Sequence, residues 1–192
     1  ATPLPADAAG SFTVSFEGRI EADVDMGDGP EAERDYAENP MMAFAVTDST
    51  AKARRKVVDD AKCEACHLNL SLHGGNRHDV TYCSTCHTAD RLDIADVPES
   101  VHMKWMIHKI HRGADLPSVL AGGTYAVGSH DFSDVKFPQD IRNCTKCHDG
   151  ADAETPQGNN WQQPNLAACG SCHDDIDFSA DGTVVANGHP GG

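Results

Sequence analysis

Basic residues, aromatic residues and long apolar runs are all scarce in this sequence of 192 residues. Only 15 lysines and arginines stand against 30 acids, and the formal net charge is −15. This balance disfavours nucleic-acid binding, because contacts to phosphates need a basic face. Aromatic residues make up 6%, which is little for a core built from side chains alone. No apolar run approaches the roughly 18–20 residues of a transmembrane helix, so no transmembrane segment is expected.

Cysteine and histidine are absent before Cys63, although the whole chain holds eight cysteines and eleven histidines. Apolar and polar residues alternate through 12–16 and 20–24, and Phe44 and Val46 continue this pattern, which predicts short strands. Gly27-Asp28-Gly29-Pro30 predicts a turn. We therefore predict an acidic, β-strand-rich N-terminal segment over residues 1–50, with a packing or docking role.

The rest of the chain, residues 51–192, has a different pattern. Good helix formers over Lys52–Ala65 predict a helix that leads into the first cysteine pair. A second helix is predicted over Pro98–Arg112, with Pro98 in its first turn and Gly113 just past its end. Glycine, proline, asparagine and aspartate are frequent elsewhere. We expect a loop-rich body with short helices and little strand.

All eight cysteines lie in four copies of the motif C-x-x-C-H, and none is left over. Two thiols at this spacing can add to the two vinyl groups of one porphyrin, and the imidazole of the next residue then reaches the iron. This is the attachment signature of c-type haem. The sequence therefore predicts a multihaem cytochrome c body with four covalent haems, whose porphyrins form much of the core. The attaching residues are Cys63, Cys66, Cys83, Cys86, Cys144, Cys147, Cys169 and Cys172, and the proximal iron ligands are His67, His87, His148 and His173.

Other uses of paired cysteines fit less well. The 16 residues between Cys66 and Cys83 also suit a zinc ribbon with four thiolate ligands. Such a site gives the histidine after each pair no role, and thioredoxin-like redox pairs meet the same objection. A disulfide scaffold does not require this spacing at every pair. Haem attachment is the interpretation that uses every residue of the motif.

Seven histidines remain to serve as the second axial ligand of each iron. Met103 and Met106 are the competing methionine ligands, but the surplus of histidine favours low-potential haems with two histidines each. His108 and His111 lie three residues apart on the predicted helix, so both face one side of it. The distal candidates in ranked order are His108, His111, His73, His189 and His130, with His78 and His102 placed last.

Several stretches around these motifs resemble the outer-surface multihaem cytochromes of the OmcA/MtrC type. The similarity covers roughly residues 43–192. It implies ligation by two histidines, with His73, His108, His111 and His189 as distal ligands. It also implies β-barrel domains alternating with multihaem domains, and electron transfer to minerals, electrodes or partner cytochromes. The stretches that carry the resemblance are 53–59, Cys63–His67, Leu72-His73-Gly74-Gly75-Asn76-Arg77, Met106-Ile107-His108-Lys109-Ile110-His111-Arg112-Gly113, Val135–Cys144 and Cys169–Asp175.

The chain departs from that family in its number of motifs. Family members typically bear ten haems in two five-haem domains, whereas this chain has four motifs and is a short or truncated relative. It is also similar to small tetrahaem cytochromes that form extracellular filaments, in which haems stack across subunits and a neighbouring chain can donate a histidine. His189, close to the end of the sequence, suits such a role.

The predicted function is electron transfer rather than catalysis. Haem attachment takes place outside the cytoplasm, so we expect an extracytoplasmic protein, at the cell surface or extracellular rather than periplasmic. Its expected partners are redox cytochromes or extracellular acceptors, with a homo-polymer as a further hypothesis. The alternative is a multihaem reductase of a small oxyanion or nitrogen compound, which needs one haem with an open coordination position.

Overall fold

The computed structural model of the chain describes residues 3–25, 27, 29–95 and 98–176. The chain packs as two compact units. The first comprises the described residues of Ala1–Thr85 and Ala151–Gln157, and the second those of Cys86–Gly150 and Gly158–Gly192. Most of the described backbone forms loops, with short helices and small sheets, as the sequence predicts. These units are defined by how the chain packs, and they do not test the predicted domain boundary at residue 50. That boundary stays a prediction.

Two antiparallel ribbons make up the N-terminal part of the first unit. Strand β1 (Ser11–Ser15) pairs with β4 (Met41–Ala45), and the rings of Phe12 and Phe44, which face each other in this register, stack at 6.0 Å. Strand β2 (Arg19–Asp25) pairs with β3 (Pro30–Tyr36). The predicted strands are confirmed, and β3 is an addition. Its sequence, PEAERDY, has no apolar alternation, so its pairing with β2 makes it a strand.

The first unit also holds helices α1 (Asp60–His67) and α2 (Val80–Cys86), although the last residue of α2 belongs to the second unit. The predicted helix over Lys52–Ala65 is wrong in its first half. The amide of Lys52 donates to Ser11 Oγ at 3.0 Å and that of Lys56 to Gln157 Oε1 at 3.0 Å, so these amides are engaged elsewhere. Asp59 then caps α1 by accepting from the amide of Ala61.

The second unit is organised around helix α3 (Met103–Arg112). The predicted start at Pro98 is wrong, because the amide of Val101 donates to the carbonyl of Arg91 at 3.0 Å and the preceding backbone is extended. The predicted end is confirmed, since Gly113 caps the helix at a φ of +38°. The other elements are 3-10 turns at Gly113–Asp115, Cys144–Lys146 and Gly158–Gln162, helices α4 (Pro117–Leu120) and α5 (Leu166–Gly170), and the paired strands β5 (Ala126–Val127) and β6 (His130–Asp131).

Buried apolar side chains are few. In the second unit, Trp105 and Met106 of α3 are buried with Leu116 and Tyr125, and in the first unit Tyr82 of α2 is buried. Within the described ranges, no helix is both long and apolar enough to cross a membrane. The helices that carry cysteine and histidine therefore pack on a thin core of side chains.

Candidate functional site

Each C-x-x-C-H motif lies on a helical turn. The first is in α1, the cysteines of the second are in α2, the third begins the 3-10 turn Cys144–Lys146, and the fourth begins in α5. In the third and fourth motifs the amide of the histidine donates to the carbonyl of the first cysteine, at 2.8 Å for His148 and 3.0 Å for His173. Residues three and four apart share one face of a helical turn. Each motif thus presents its two thiols and its imidazole toward the same side.

Carboxylates hold the helices of the first two motifs in place. Asp79 Oδ1 accepts from the amides of Thr81 and Tyr82 at the start of α2, at 2.6 and 2.9 Å. Asp60, the first residue of α1, accepts from the amide of Val80 at 2.6 Å. These bonds satisfy amides that the first turn of a helix leaves open. They also tie the start of α2 to the start of α1.

None of the eight cysteines forms a disulfide, and all lie in the described residues. Burial raises the pKa of the Cys83 thiol to about 11, helped by the negative charges of Asp79 and Asp60. Burial likewise raises the pKa of Cys172. These two cysteines are protonated thiols at neutral pH, which limits disulfide exchange because the thiolate is the reactive form.

His108 of α3 and His148 of the third motif face each other. Their ring centroids are 6.2 Å apart, with the ring planes tilted by 49°. Two imidazoles that bind one metal with bonds of about 2.0–2.1 Å have ring centres about 6 Å apart. Burial, followed by the neighbouring His148 and His111, lowers the pKa of His108 to about 4. His108 is therefore neutral at pH 7, which is the form of histidine that binds a metal.

Two further imidazoles are oriented through Nδ1. The Nδ1 of His87, in the second motif, lies 2.8 Å from the carbonyl oxygen of Val101. The Nδ1 of His111 lies 2.8 Å from the carbonyl oxygen of Ile107, one turn earlier on α3. Because a carbonyl only accepts, both rings carry the proton on Nδ1. Nε2 is left as the atom that can bind a metal, the usual arrangement of a metal-ligating histidine.

A cavity of about 190 Å³ opens beside His111. Phe137 forms one wall, with its ring at right angles to the imidazole and the centroids 5.7 Å apart. Ile141, Arg112 and Asp140 also line the cavity. The accessible surface next to the predicted distal ligand is thus mostly polar, with Phe137 and Ile141 as its apolar residues.

His78, which the sequence ranking places near the end, has an enclosed ring nitrogen. Its Nε2 is buried and has no hydrogen-bond partner among the described residues. Its amide donates to Asn39 Oδ1 at 2.8 Å, and its ring lies 5.9 Å from that of Tyr36. The N-terminal segment provides both contacts, so no local sequence signal could have identified this histidine as buried. A buried imidazole nitrogen without a partner is costly, and a metal would satisfy it.

The other ranked candidates are less enclosed. His73 is exposed and has a φ of +52°. A Cβ on the nearby Gly75 would overlap the ring of Tyr36, which packs against the backbone of this glycine. His130 is exposed on β6, where its ring stacks against Phe132 at 6.4 Å. His189 lies outside the described residues. No group of three or more histidine, cysteine or acidic side chains forms a metal cluster within the ranges that the structure describes.

The residues present fit a covalently attached iron porphyrin. Thiols and imidazoles share one face of each motif, the imidazoles of His108 and His148 stand at the separation of a metal-bridged pair, and Nε2 of His78 is buried without a protein partner among the described residues. This arrangement is that of a c-type cytochrome domain with several haem-attachment motifs.

Comparison with known proteins identifies the family. The family model for the outer membrane cytochrome MtrC/MtrF-like proteins, domains II/IV, matches residues 55–190. The chain belongs to this family of multihaem cytochromes.

Two relatives show how much of such a protein this chain represents. It is 31% identical over 129 residues to the multiheme cytochrome MtrC of Shewanella baltica (strain OS185), an alignment that covers 66% of this chain and 16% of that protein. The crystal structure of MtrC from the same organism matches 88% of this chain and 23% of that chain, with 27% sequence identity and a TM-score of 0.54. The chain therefore spans less than a quarter of the length of these relatives.

Proposed function

We propose that this chain transfers electrons outside the cytoplasm, through four c-type haems that are covalently attached at its four C-x-x-C-H motifs. Family membership supports an electron-transfer role, and the motifs supply eight cysteines and four proximal histidines without remainder. The proposal places the protein at the cell surface, as the family description suggests, with redox cytochromes or extracellular acceptors as its partners. The full-length relatives are far longer than this chain, so their location and partners are only proposed for it. The experiments below test these roles.

The observation that carries the proposal is the relationship between His108 and His148. A centroid separation of 6.2 Å matches two imidazoles on opposite sides of one iron, and the low pKa of His108 keeps it neutral. We assign His108 as the distal ligand of the haem attached at Cys144 and Cys147. His111, with Nδ1 bonded to a carbonyl, is assigned to a second haem. The ligands of the other two irons are proposed among His73, His78, His130 and His189.

Two histidines on each iron make this site suited to electron transfer. Haem iron supplies the one-electron redox chemistry, and its potential is set by its axial ligands and their surroundings. The chain contributes rigid ligand placement: α3 carries two distal ligands three residues apart, and each motif fixes a porphyrin on a helical turn. An iron with both axial positions filled has no place for a substrate, so the proposed role needs no catalytic residue.

The first experiment is a haem count on the chain exported by a host that attaches c-type haem. We expect an intact mass that includes four haems and a visible spectrum with sharp Soret and α bands. We also expect a ferric electron paramagnetic resonance spectrum that is low-spin throughout. A colourless product, or a mass without haem, would contradict the proposed function.

The second experiment tests the assigned pair. His108→Ala is expected to convert one of four haems to a high-spin form that binds carbon monoxide, since its iron loses a ligand. His102→Ala removes a histidine at the other end of α3 and is the matched control, expected to stay low-spin. If His108→Ala retains four low-spin haems, the assignment is wrong.

The reductase and filament hypotheses are decided with the same material. Carbon monoxide binding by the unaltered reduced protein, without denaturant, would favour a reductase with an open haem position. Assembly is measured by size-exclusion chromatography and electron microscopy over a range of concentrations. Only monomers at high concentration would rule out the homo-polymer.

A further inference from the structure

Arg112 is the last residue of α3 and follows the proposed ligand His111. Its Nε is buried and has no hydrogen-bond partner among the described residues. A guanidinium keeps its positive charge at any pH that a folded protein experiences. A buried N–H on such a group is costly unless an acceptor reaches it. An anion bound at this position would therefore stabilise the buried guanidinium.

The two acids that line the cavity beside His111 do not supply this anion. Asp140 lines the cavity, but its carboxylate is held by Arg142, whose guanidinium nitrogens lie at 2.6 and 3.0 Å from its two oxygens. Asp115 also lines the cavity, and it is exposed to solvent. Neither carboxylate bonds to Nε of Arg112. Because Arg112 also lines the cavity, an anionic group that enters there lies next to this guanidinium.

The cavity, of about 190 Å³, suits the propionate edge of a porphyrin. Its accessible lining is mostly polar: Arg112 offers a cation next to the imidazole of His111, and the ring of Phe137 adds an apolar wall. A c-type haem carries two propionate carboxylates at one edge, which match this polar lining. Arginine binds carboxylates through paired N–H donors.

We propose that Arg112 binds a propionate carboxylate of the haem whose iron is bound by His111. The proposal rests on the proposed function, because it needs haem in the chain. By pairing with the propionate, the guanidinium offsets a negative charge close to the iron. The ferric haem carries one more positive charge than the ferrous haem, so an unpaired propionate favours the ferric state. Arg112 therefore raises the reduction potential of one haem.

The test compares three variants of the full chain, each loaded with haem. Arg112→Gln removes the charge, Arg112→Lys keeps it, and Lys136→Gln neutralises an exposed cation that adjoins Phe137 in the sequence. Intact mass first verifies that all four haems are attached. Potentiometric titration followed by visible absorbance then resolves the haems, and resonance Raman spectroscopy records the propionate bending modes.

In Arg112→Gln we expect one redox component to shift to lower potential, with a shifted propionate mode, while the other three components stay in place. Arg112→Lys should recover most of the shift in potential, and Lys136→Gln should titrate as the unaltered protein. The proposal is overturned if Arg112→Gln has four haems with unchanged potentials and propionate modes, or if Lys136→Gln produces an equal shift. If Arg112→Gln attaches fewer haems, the Raman spectrum of Arg112→Lys decides: an unchanged propionate mode refutes the contact. An unaltered chain without haem would refute the proposed function instead.

Discussion

The Nζ of Lys109 lies 3.5 Å from Oδ2 of Asp174, and the two side chains are 2% and 0% exposed. Glu99 lies at the same distance from this ammonium group, and the ring of Tyr125 lies 4.4 Å from it. Ser118 donates to both carboxylate oxygens of Asp174, through its amide at 3.1 Å and its hydroxyl at 2.5 Å. Lys109 stands between the proposed ligands of α3, and Asp174 directly follows the histidine of the fourth motif. This buried network joins helix α3 to the fourth C-x-x-C-H motif.

Removal of Lys109 should strongly destabilise the second unit. Lys109→Met keeps most of the side-chain volume but leaves two buried carboxylates without their cation, and breaking a buried pair in this way costs about 3–5 kcal/mol. The free energy of unfolding from denaturant titration is the measurement. Arg142→Gln, which breaks an exposed ion pair, should change it little. Equal effects of the two variants would show that the buried network contributes no special stability.

Gly113 should not tolerate a side chain. Its φ is +38°, and a Cβ there would overlap the carbonyl oxygen of Val135 and approach the carbonyl oxygen of Phe132 to 2.9 Å. Gly122 also has a positive φ, but a Cβ there meets nothing within 4 Å. Both alanine variants incur backbone strain of about 1–3 kcal/mol, so the difference between them isolates the steric overlap.

We expect Gly113→Ala to unfold at a lower temperature than Gly122→Ala, by an overpacking cost of about 1–3 kcal/mol. Because Gly113 ends α3, the same variant should also weaken the low-spin signal of the haems ligated from this helix. Identical melting temperatures would contradict the geometry at this helix end.

Glu17 should make stability depend on pH. The hydrogen bond from Arg77 holds the pKa of this carboxyl below its ordinary value of 4.5, with further help from Tyr82, from the charge of Arg77 and from His73. Arg77 Nε donates to Oε2 at 2.6 Å and the Tyr82 hydroxyl donates to it at 3.0 Å. A carboxyl with a lowered pKa in the fold stabilises it above the unfolded pKa. This stabilisation is lost as the pH falls through the folded pKa.

Glu17→Gln should therefore unfold more easily at pH 7 and lose less stability than the unaltered chain when the pH falls below about 4.5. The measurement is the unfolding free energy between pH 7 and pH 3. Glu38→Gln, at an exposed acid of the same unit, serves as the control. A parallel pH dependence of Glu17→Gln and the unaltered chain would show that the contact with Arg77 is unimportant.

We predict opposite results for the removal of His78 and the removal of His130. The Nε2 of His78 is buried without a partner, whereas His130 is exposed and lies against Phe132. We expect His78→Ala to turn one haem high-spin and His130→Ala to leave every haem low-spin. Electron paramagnetic resonance of the ferric protein distinguishes them. If His130→Ala gives a high-spin haem and His78→Ala does not, the sequence-based ranking of His130 above His78 is supported.

Features that depend on neighbours along the chain could be predicted from the sequence. The C-x-x-C-H spacing places its donors on one face of a helical turn, because residues three and four apart meet on any such turn. Gly113 ends α3 because glycine adopts a positive φ without strain. Alternation also predicted β1, β2 and β4, although every residue of β2 is exposed, so the pattern indicated the strand and not its burial.

Only the tertiary structure decided the relationships between distant residues. The facing of His108 and His148, the burial of His78 by the N-terminal segment and the pairing of Lys109 with Asp174 join residues 39 to 65 positions apart. The late starts of α1 and α3 have a related origin, because backbone amides before them bond to residues outside the helices, Lys56 to Gln157 and Val101 to Arg91. The sequence by itself predicts which residues attach haem, since the attachment motif is defined by local spacing. Which two imidazoles face each other depends on the tertiary packing of distant segments, and local sequence patterns do not specify that packing.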